Sequence, residues 1–261
     1  MNEVALITGA SGGIGYQIAL LFAKSNIDVV LVARSPEKLQ RAEASLTSIS
    51  SARVFTVVAD LSSREGIGTL LNFINEHQCT VTYLVNNAGF GDYGMFVDRS
   101  MDNYSEMIRL NIESLTALTH HFATRMVHRG KGRILNIAST AGFQPDPRFA
   151  VYGATKAYVI SFSEALHKEL ENTGVSVTVL SPGATRTDFI DRADMHDAKV
   201  FEGNVMTAPQ VADVGFRAMM QGKLHVVPGL TNRIMALLSS ITPPGKLRLA
   251  IADKVMQRKK D

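Results

Sequence analysis

Tyr152 and Lys156 stand four residues apart in Y-G-A-T-K, within a stretch of helical periodicity. On a helix, positions i and i+4 share a face. A free phenol has a pKa of about 10 and stays protonated at neutral pH. A neighbouring ammonium favours the phenolate, so this spacing predicts a tyrosine with a lowered pKa. Such a phenol could exchange protons with an alcohol or carbonyl oxygen. The plainer reading is an exposed aromatic beside a surface charge. Ser139 lies 13 positions before Tyr152, directly after the apolar run I-L-N-I-A. A hydroxyl there could hydrogen-bond a carbonyl oxygen as it gains charge, or merely cap the following turn. Asn111, in I-R-L-N-I-E-S, sits inside a long helical stretch where Asn is a poor helix former. From the residues alone it reads as an exposed mid-helix amide.

A second group of residues could hold an anion. T-G-A-S-G-G-I-G, Thr8 to Gly15, follows an apolar run and leads directly into the helical segment Y-Q-I-A-L-L-F-A-K. Helix N-termini attract anions through free N–H groups and the positive end of the dipole. Glycines let the backbone approach a diphosphate with no Cβ in the way. Glycine is also an ordinary turn residue, but strand–turn–helix is the context nucleotide binding needs.

The elements that must position these groups are legible as alternation. Candidate strands are 3–8, 28–33, 53–58, 81–86, 133–138 and 175–181, with a weaker seventh at 224–227. Several, such as V-V-L-V-A, are almost wholly apolar, as in strands buried on both faces. Helical crossovers fit between them, with long helices near 101–127 and 150–172. This pattern predicts an α/β fold: a doubly wound, mostly parallel, seven-stranded Rossmann-type sheet with helices on both faces. No linker, low-complexity segment or repeat divides it, so one domain spanning 1–261 is expected.

The glycine spacing, Gly9, Gly13 and Gly15, is T-G-x-x-x-G-x-G. N-N-A-G at Asn86 to Gly89, then Ser139, then Y-x-x-x-K follow in order. In this the chain resembles the short-chain dehydrogenase/reductase family, from Val4 to about Gly229. The resemblance implies an NAD(P)-dependent oxidoreductase with a catalytic set of Asn111, Ser139, Tyr152 and Lys156. Asn111 would kink its helix and hold a water leading from the lysine to solvent. Lys156 would also reach the nicotinamide ribose. Gly9, Ser11, Gly13, Ile14 and Gly15 would line the cofactor, with Ile14 against the nicotinamide face. Asp60 would meet the adenine amino group with the Leu61 backbone nearby, and a helix N-cap is its competing role. Asn87, Ala88 and Gly89 would lie on the adenosine side. Pro182 and Gly183 would make a sharp exit toward the nicotinamide. Thr187 would bond the carboxamide, with Thr185 as a possible stand-in.

Cofactor preference turns on the end of the second strand, V-L-V-A-R-S. An acidic residue there would bind both ribose hydroxyls of NAD. Arg34 instead offers a guanidinium that can pair a 2′-phosphate bidentately, with Ser35 assisting, so NADP(H) is expected over NAD(H). Arg34 as the first solvated residue after a buried strand is the alternative.

Composition closes off other classes. The 261 residues are 46% hydrophobic, enough for a sizeable core, and the net charge of +3 is too mild to imply nucleic acid. Cys79 is the only cysteine and there is no H-E-x-x-H, so neither an internal disulfide nor a metal hydrolase is supported. No signal peptide and no bilayer-spanning run is evident, and the cytoplasm is the expected location. A substrate lid is expected over about 188–207, with Phe189, Ile190, Met195 and Phe201 as apolar elements. Phe90, Phe143 and Phe149 are further candidate pocket walls, and Arg148 and Arg192 are possible carboxylate clamps. The C-terminal extension, about 230–261, reads as two amphipathic helices separated by Pro243-Pro244-Gly245. It carries Arg233, Lys246, Arg248, Lys254, Arg258, Lys259 and Lys260. Packing on the domain or on another subunit is favoured over peripheral membrane contact. The partners expected are a small carbonyl or alcohol substrate, fairly apolar, and further copies of the chain in a homodimer or homotetramer. The alternative function is a nucleotide-binding sensor on the same fold without turnover.

Overall fold

Alternate residues of the first strand face opposite ways, and both ways lead into core. Val4 and Leu6 join Val30, Leu84 and Ile134 in one apolar cluster, while Ala5 and Ile7 join Ile18, Phe22 and Leu135 in another. This explains why the strand is continuously apolar: the sheet has no wet face. The computed structural model describes residues 2–187, 189–195, 198, 205–242 and 245–256.

In chain order the elements are β1 (Asn2–Thr8), α1 (Gly13–Lys24), β2 (Asp28–Ala33), α2 (Pro36–Thr47), β3 (Val54–Val58), α3 (Arg64–Glu76) and β4 (Cys79–Asn86). There follow α4 (Met101–Ile108), α5 (Leu115–Arg129), β5 (Gly132–Ile137), α6 (Ala150–Glu169) and β6 (Val175–Leu180). The chain continues through β7 (Thr185–Arg186), α7 (Phe189–Ala193), β8 (Met206–Thr207), α8 (Ala208–Met220), β9 (His225–Val226), α9 (Leu230–Ile241) and α10 (Lys246–Met256). Seven strands form one sheet in the order β3-β2-β1-β4-β5-β6-β9, every pair parallel. The expected strands match these to within about two residues, the usual uncertainty of an element end. β7 and β8 make a separate two-stranded parallel ladder.

Strand order reverses between β1 and β4, and in open parallel sheets ligands bind beyond the C-terminal strand ends at such a point. Four local features shape that end. The α1 N-terminus opens on Gly12 with no capping side chain and no acidic residue in its first turn. Ser35 caps α2 by accepting from the Lys38 N–H, and Ser63 caps α3 by accepting from Gly66 N–H. The helix expected near 101–127 is not continuous: a π-helical segment, Arg109–Ser114, separates α4 from α5. Such segments widen one turn and recur at functional sites.

The C-terminal extension forms α9 and α10, as expected. α10 buries Ala252 and Met256, and Tyr93 donates its hydroxyl to the Met256 carbonyl. Arg148 pairs with Asp253 at 2.7 Å. The extension therefore packs on its own fold, although Leu230, Ile234, Leu237 and Leu238 of α9 stay exposed. Pro243, Pro244, Phe201, Arg258, Lys259, Lys260 and the side chains of Arg192 and Arg248 lie outside the described residues. Among the described residues no helix is long and apolar enough to cross a membrane.

Candidate active site

A cleft of about 1210 Å³ runs along the C-terminal edge of the sheet. At one end its floor is the glycine turn. Gly9 and Gly13 have φ of +63° and +55°, which an L side chain rarely adopts. A Cβ on Gly15 would come within 2.4 Å of Asn87 Nδ2 and 2.6 Å of the Gly9 carbonyl oxygen, so that position has no room for one. Asn87 acts as a strut. Its Nδ2 donates to the carbonyls of Thr8 and Gly9 at 3.0 Å each, while Thr8 Oγ1 accepts from the N–H groups of Asn87 and Ala88. Gly9, Ser11, Gly13 and Ile14 line the cleft; Gly15 lies behind them.

Arg34, Ser35, Asp60 and Leu61 line the same end. Arg34 Nη1 pairs with Glu106 at 2.8 Å, and both side chains are partly exposed. Ser35 is already engaged as the α2 cap and donates to Glu37 at 2.9 Å. Lys38 also faces this end and was not foreseen; its place one turn into α2, after Arg34 and Ser35, was the available signal. The N-cap reading of Asp60 is corrected, because the cap of α3 is Ser63. Asp60 Oδ1 instead accepts from the N–H and hydroxyl of Ser62 at 3.0 and 2.8 Å.

At the other end four distant segments converge. Tyr152 and Lys156, on α6, are 7% and 5% exposed, so the exposed-aromatic reading fails. Lys156 Nζ sits 5.6 Å from the Tyr152 ring centroid and donates to the Ile137 carbonyl at 2.9 Å. Ser139 caps the following turn, as one of its two readings had it: its hydroxyl accepts from Ala141 N–H at 3.2 Å, and it is also hydrogen-bonded to Tyr152. Asn111 is buried in the π segment, not exposed. Its Oδ1 accepts from Phe90 N–H, and its Nδ2 donates to the Phe90 carbonyl and to Thr155 Oγ1. It stands behind the cleft wall. A Cβ on Gly89 would lie 3.0 Å from Asn111 Oδ1, a tight contact, and 3.6 Å from Lys156 Nζ, an ordinary one.

The electrostatics reverse one expectation. The Tyr152 pKa is raised, not lowered. Burial is the main cause; the Ser139 hydrogen bond works against it and the Asp146 carboxylate adds to it. Burial also pulls Lys156 down to about 8. The pairing argument from spacing treated the ammonium as a fixed charge in water. In the dry site desolvation acts on both groups and dominates.

Pro182, Gly183, Thr185 and Thr187 complete the wall after β6. A Cβ on Gly13 would stand 3.2 Å from Thr187 Cγ2, so Thr187 overhangs the glycine turn. Thr185 turns its hydroxyl to the Gly183 carbonyl at 2.9 Å. Of the candidate pocket walls, Phe149, Phe189 and Met195 line the cleft. Phe149 stacks on Tyr152 at 4.3 Å and Phe189 tilts against it at 5.4 Å. Phe90 belongs to the core, Ile190 packs against it, and Phe143 stacks on His225 instead. Arg148 is committed to Asp253. Gln144, Asp146 and, from α9, Met235 and Ser239 line this end without having been anticipated.

Residues 3–198 match the family model for short chain dehydrogenase. The chain belongs to that family. An uncharacterized oxidoreductase of Staphylococcus epidermidis is 32% identical over 220 residues, covering 84% of this chain and 92% of that protein. A short-chain dehydrogenase from Sphingobium yanoikuyae, solved in complex with NADPH, superposes with a TM-score of 0.82 at 34% identity, covering 94% and 98% of the two chains. The bulky-bulky ketone specific alcohol dehydrogenase from Comamonas testosteroni gives 0.77 at 28% identity, covering 94% and 97%. This short-chain dehydrogenase is accordingly an oxidoreductase, and its nicotinamide site can be tested against its own residues. The uncapped α1 terminus, with glycines beneath it, offers N–H donors and a positive dipole end to a diphosphate. Arg34 and Lys38 beyond it supply cationic donors. The residues fit a dinucleotide.

Proposed function

We propose that the protein is an NADP(H)-dependent oxidoreductase acting on a bulky, fairly apolar ketone or aldehyde, or the matching secondary alcohol. The observation that carries this reading is the convergence of half-buried Ser139 with buried Tyr152 and Lys156, the Tyr152 ring lying against two phenylalanine rings, on the same cleft as the glycine turn. The α1 N-terminus would hold the diphosphate, Arg34 and Lys38 a 2′-phosphate, Asp60 the adenine edge and Thr187 the carboxamide. When bound, the nicotinamide supplies or accepts the hydride.

The side chains do the rest. Ser139 would orient the carbonyl oxygen, and Tyr152 would give that oxygen its proton as charge develops. A tyrosine whose pKa is raised stays protonated at neutral pH, so it is loaded for donation and is a reluctant base. Lys156, with a pKa of about 8, is able to gain and lose a proton near neutrality. It would reload Tyr152, and Asn111 would hold the π segment and the Phe90 loop in place behind it. Phe149, Phe189 and Met195 exclude water from the reacting atoms and favour apolar substituents. The bulky-ketone specificity of the Comamonas neighbour supports the same substrate class. The exposed faces of α5 and α6, which include Val127 and Tyr158, would carry a homodimer or homotetramer.

The test is NADPH oxidation with a panel of aryl and cyclic ketones, run beside NADH. Turnover with NADPH, lost in Tyr152→Phe while NADPH affinity is kept, supports the reading. Equal affinity for NADH would overturn the cofactor assignment, and absence of turnover across the panel would favour a sensor.

A further inference from the structure

Asp146 is a buried acid with no cation paired to it among the described residues. It lies in the loop between β5 and α6, is 5% exposed, and lines the cleft beside Tyr152. Its Oδ1 accepts from Gln144 Nε2 at 3.2 Å, and Gln144 Oε1 accepts in turn from Ser239 Oγ of α9 at 2.9 Å. Its backbone carbonyl is bound by Phe149 N–H at 3.1 Å. Oδ2 faces the side of Gly153, 3.9 Å from where a Cβ there would stand, and makes no hydrogen bond among the described residues. The nearest guanidinium in sequence, Arg148, is taken by Asp253. A buried carboxylate is costly unless paired or hydrogen-bonded. The loop nevertheless ties it down, through the Phe149 backbone bond and the Gln144 amide link to α9.

We propose that Asp146, braced by Gln144 and Ser239, is a specificity site that binds a hydrogen-bond donor, an ammonium or a hydroxyl, on the substrate at a distance from its reacting carbon. The site then has two characters. Phe149, Phe189 and Met195 give an apolar sleeve, and Asp146 gives one polar anchor within it, as orientation in a mostly apolar pocket requires. The substrate class narrows to a bulky ketone, or its alcohol, that carries one remote amino or hydroxyl group. Burial raises Asp146 to about 7, so it can present either a charged acceptor or a proton of its own near neutrality. The proposal rests on the carbonyl reading above for the placement of the ligand, but its test reads binding.

Three probes differ only at the para position of an aryl methyl ketone: methyl, hydroxymethyl and aminomethyl. Each is titrated calorimetrically at about pH 8 into the full-length protein saturated with NADP, so that no hydride is available. A polar probe binding the wild type about 10- to 100-fold tighter than the methyl probe is expected, the range of a charge-assisted hydrogen bond. An aminomethyl lead identifies an ammonium, and a hydroxymethyl lead a hydroxyl. In Asp146→Asn, which keeps the shape and the Gln144 bond, the aminomethyl probe should fall below the methyl probe, since an unpaired ammonium is penalised in an apolar sleeve. In Asp146→Ser the loss should be similar. Equal binding of all three probes to the wild type, or a lead that survives both substitutions, overturns the proposal. Ketone turnover with NADPH is read separately. Its absence with the probe contrast intact counts against the reductase reading alone; its presence with no contrast counts against the Asp146 site alone.

Discussion

The two ends of the cleft are built from different materials. The nucleotide end is backbone: a glycine turn, an uncapped helix terminus, and Asn87 bonded to main-chain carbonyls. The reacting end is side chain, with Asn111, Ser139, Asp146, Tyr152 and Ser239 brought together from separate segments. Backbone sites tolerate few residue types and announce themselves locally. Side-chain sites depend on which distant elements meet, and burial then rewrites their chemistry. Substitutions should therefore separate the ends: those in the Ser139–Tyr152–Lys156 set change rate, those at the nucleotide end change affinity or folding.

Tyr152→Phe tests this most severely. Removing a positioned proton donor should lower kcat by about 100- to 10,000-fold, with NADPH affinity, read by fluorescence titration, left nearly unchanged. A parallel loss of affinity would mean that the two ends are not separable. Arg34→Ala should do the converse. Loss of a charge-assisted contact to a phosphate should weaken NADPH by about 10- to 100-fold relative to NADH, with kcat at saturating cofactor little altered. A preference for NADPH that outlasts this substitution would shift the role to Lys38.

Gly15→Ala probes the backbone end without touching charge. Its Cβ meets Asn87 and the Gly9 carbonyl well inside contact distance. Overpacking of this kind should destabilise by about 1–3 kcal/mol, measured by urea denaturation.

The smallest effect concerns Asp146 and pH. The ordinary aspartate pKa is about 3.9, and in the folded protein it is raised to about 7. Between those values the folded state holds more protons than the unfolded one, so stability falls as pH rises from about 4 to about 7 and then levels. Asp146→Asn should abolish that slope. Its stability relative to wild type should be higher at about pH 8 than at about pH 5, by roughly 1–2 kcal/mol. Staying at or below about pH 8 avoids Lys156, whose depressed pKa makes stability rise only above that point. Equal pH dependence in the two proteins would show that the carboxyl is well solvated.

The sheet was legible because strands such as V-V-L-V-A are buried on both faces and therefore read as short, β-branched apolar runs. The glycine turn was legible because sterics leave few alternatives at Gly9, Gly13 and Gly15. The π segment was legible only through the family resemblance, which implied a kink at Asn111: L-N-I-E-S itself carries helical periodicity, and the Asn111 bonds to Phe90 and Thr155 cross the fold. The direction of the Tyr152 shift was misread for a related reason, since spacing gives proximity but not dryness. Asp146 escaped notice because P-D-P-R reads as an ordinary polar turn. Only the arrival of Phe149 and α9 around it turns that aspartate inward as a site.

One consequence follows from α9 and α10 closing the reacting end. The layers that grip a dinucleotide are encoded early in the chain, whereas Met235, Ser239 and Met256 arrive last. A chain ending near residue 230 would keep the glycine turn and the strands around it but leave the substrate chamber without a wall. Completion of the reacting end thus waits on the last two helices.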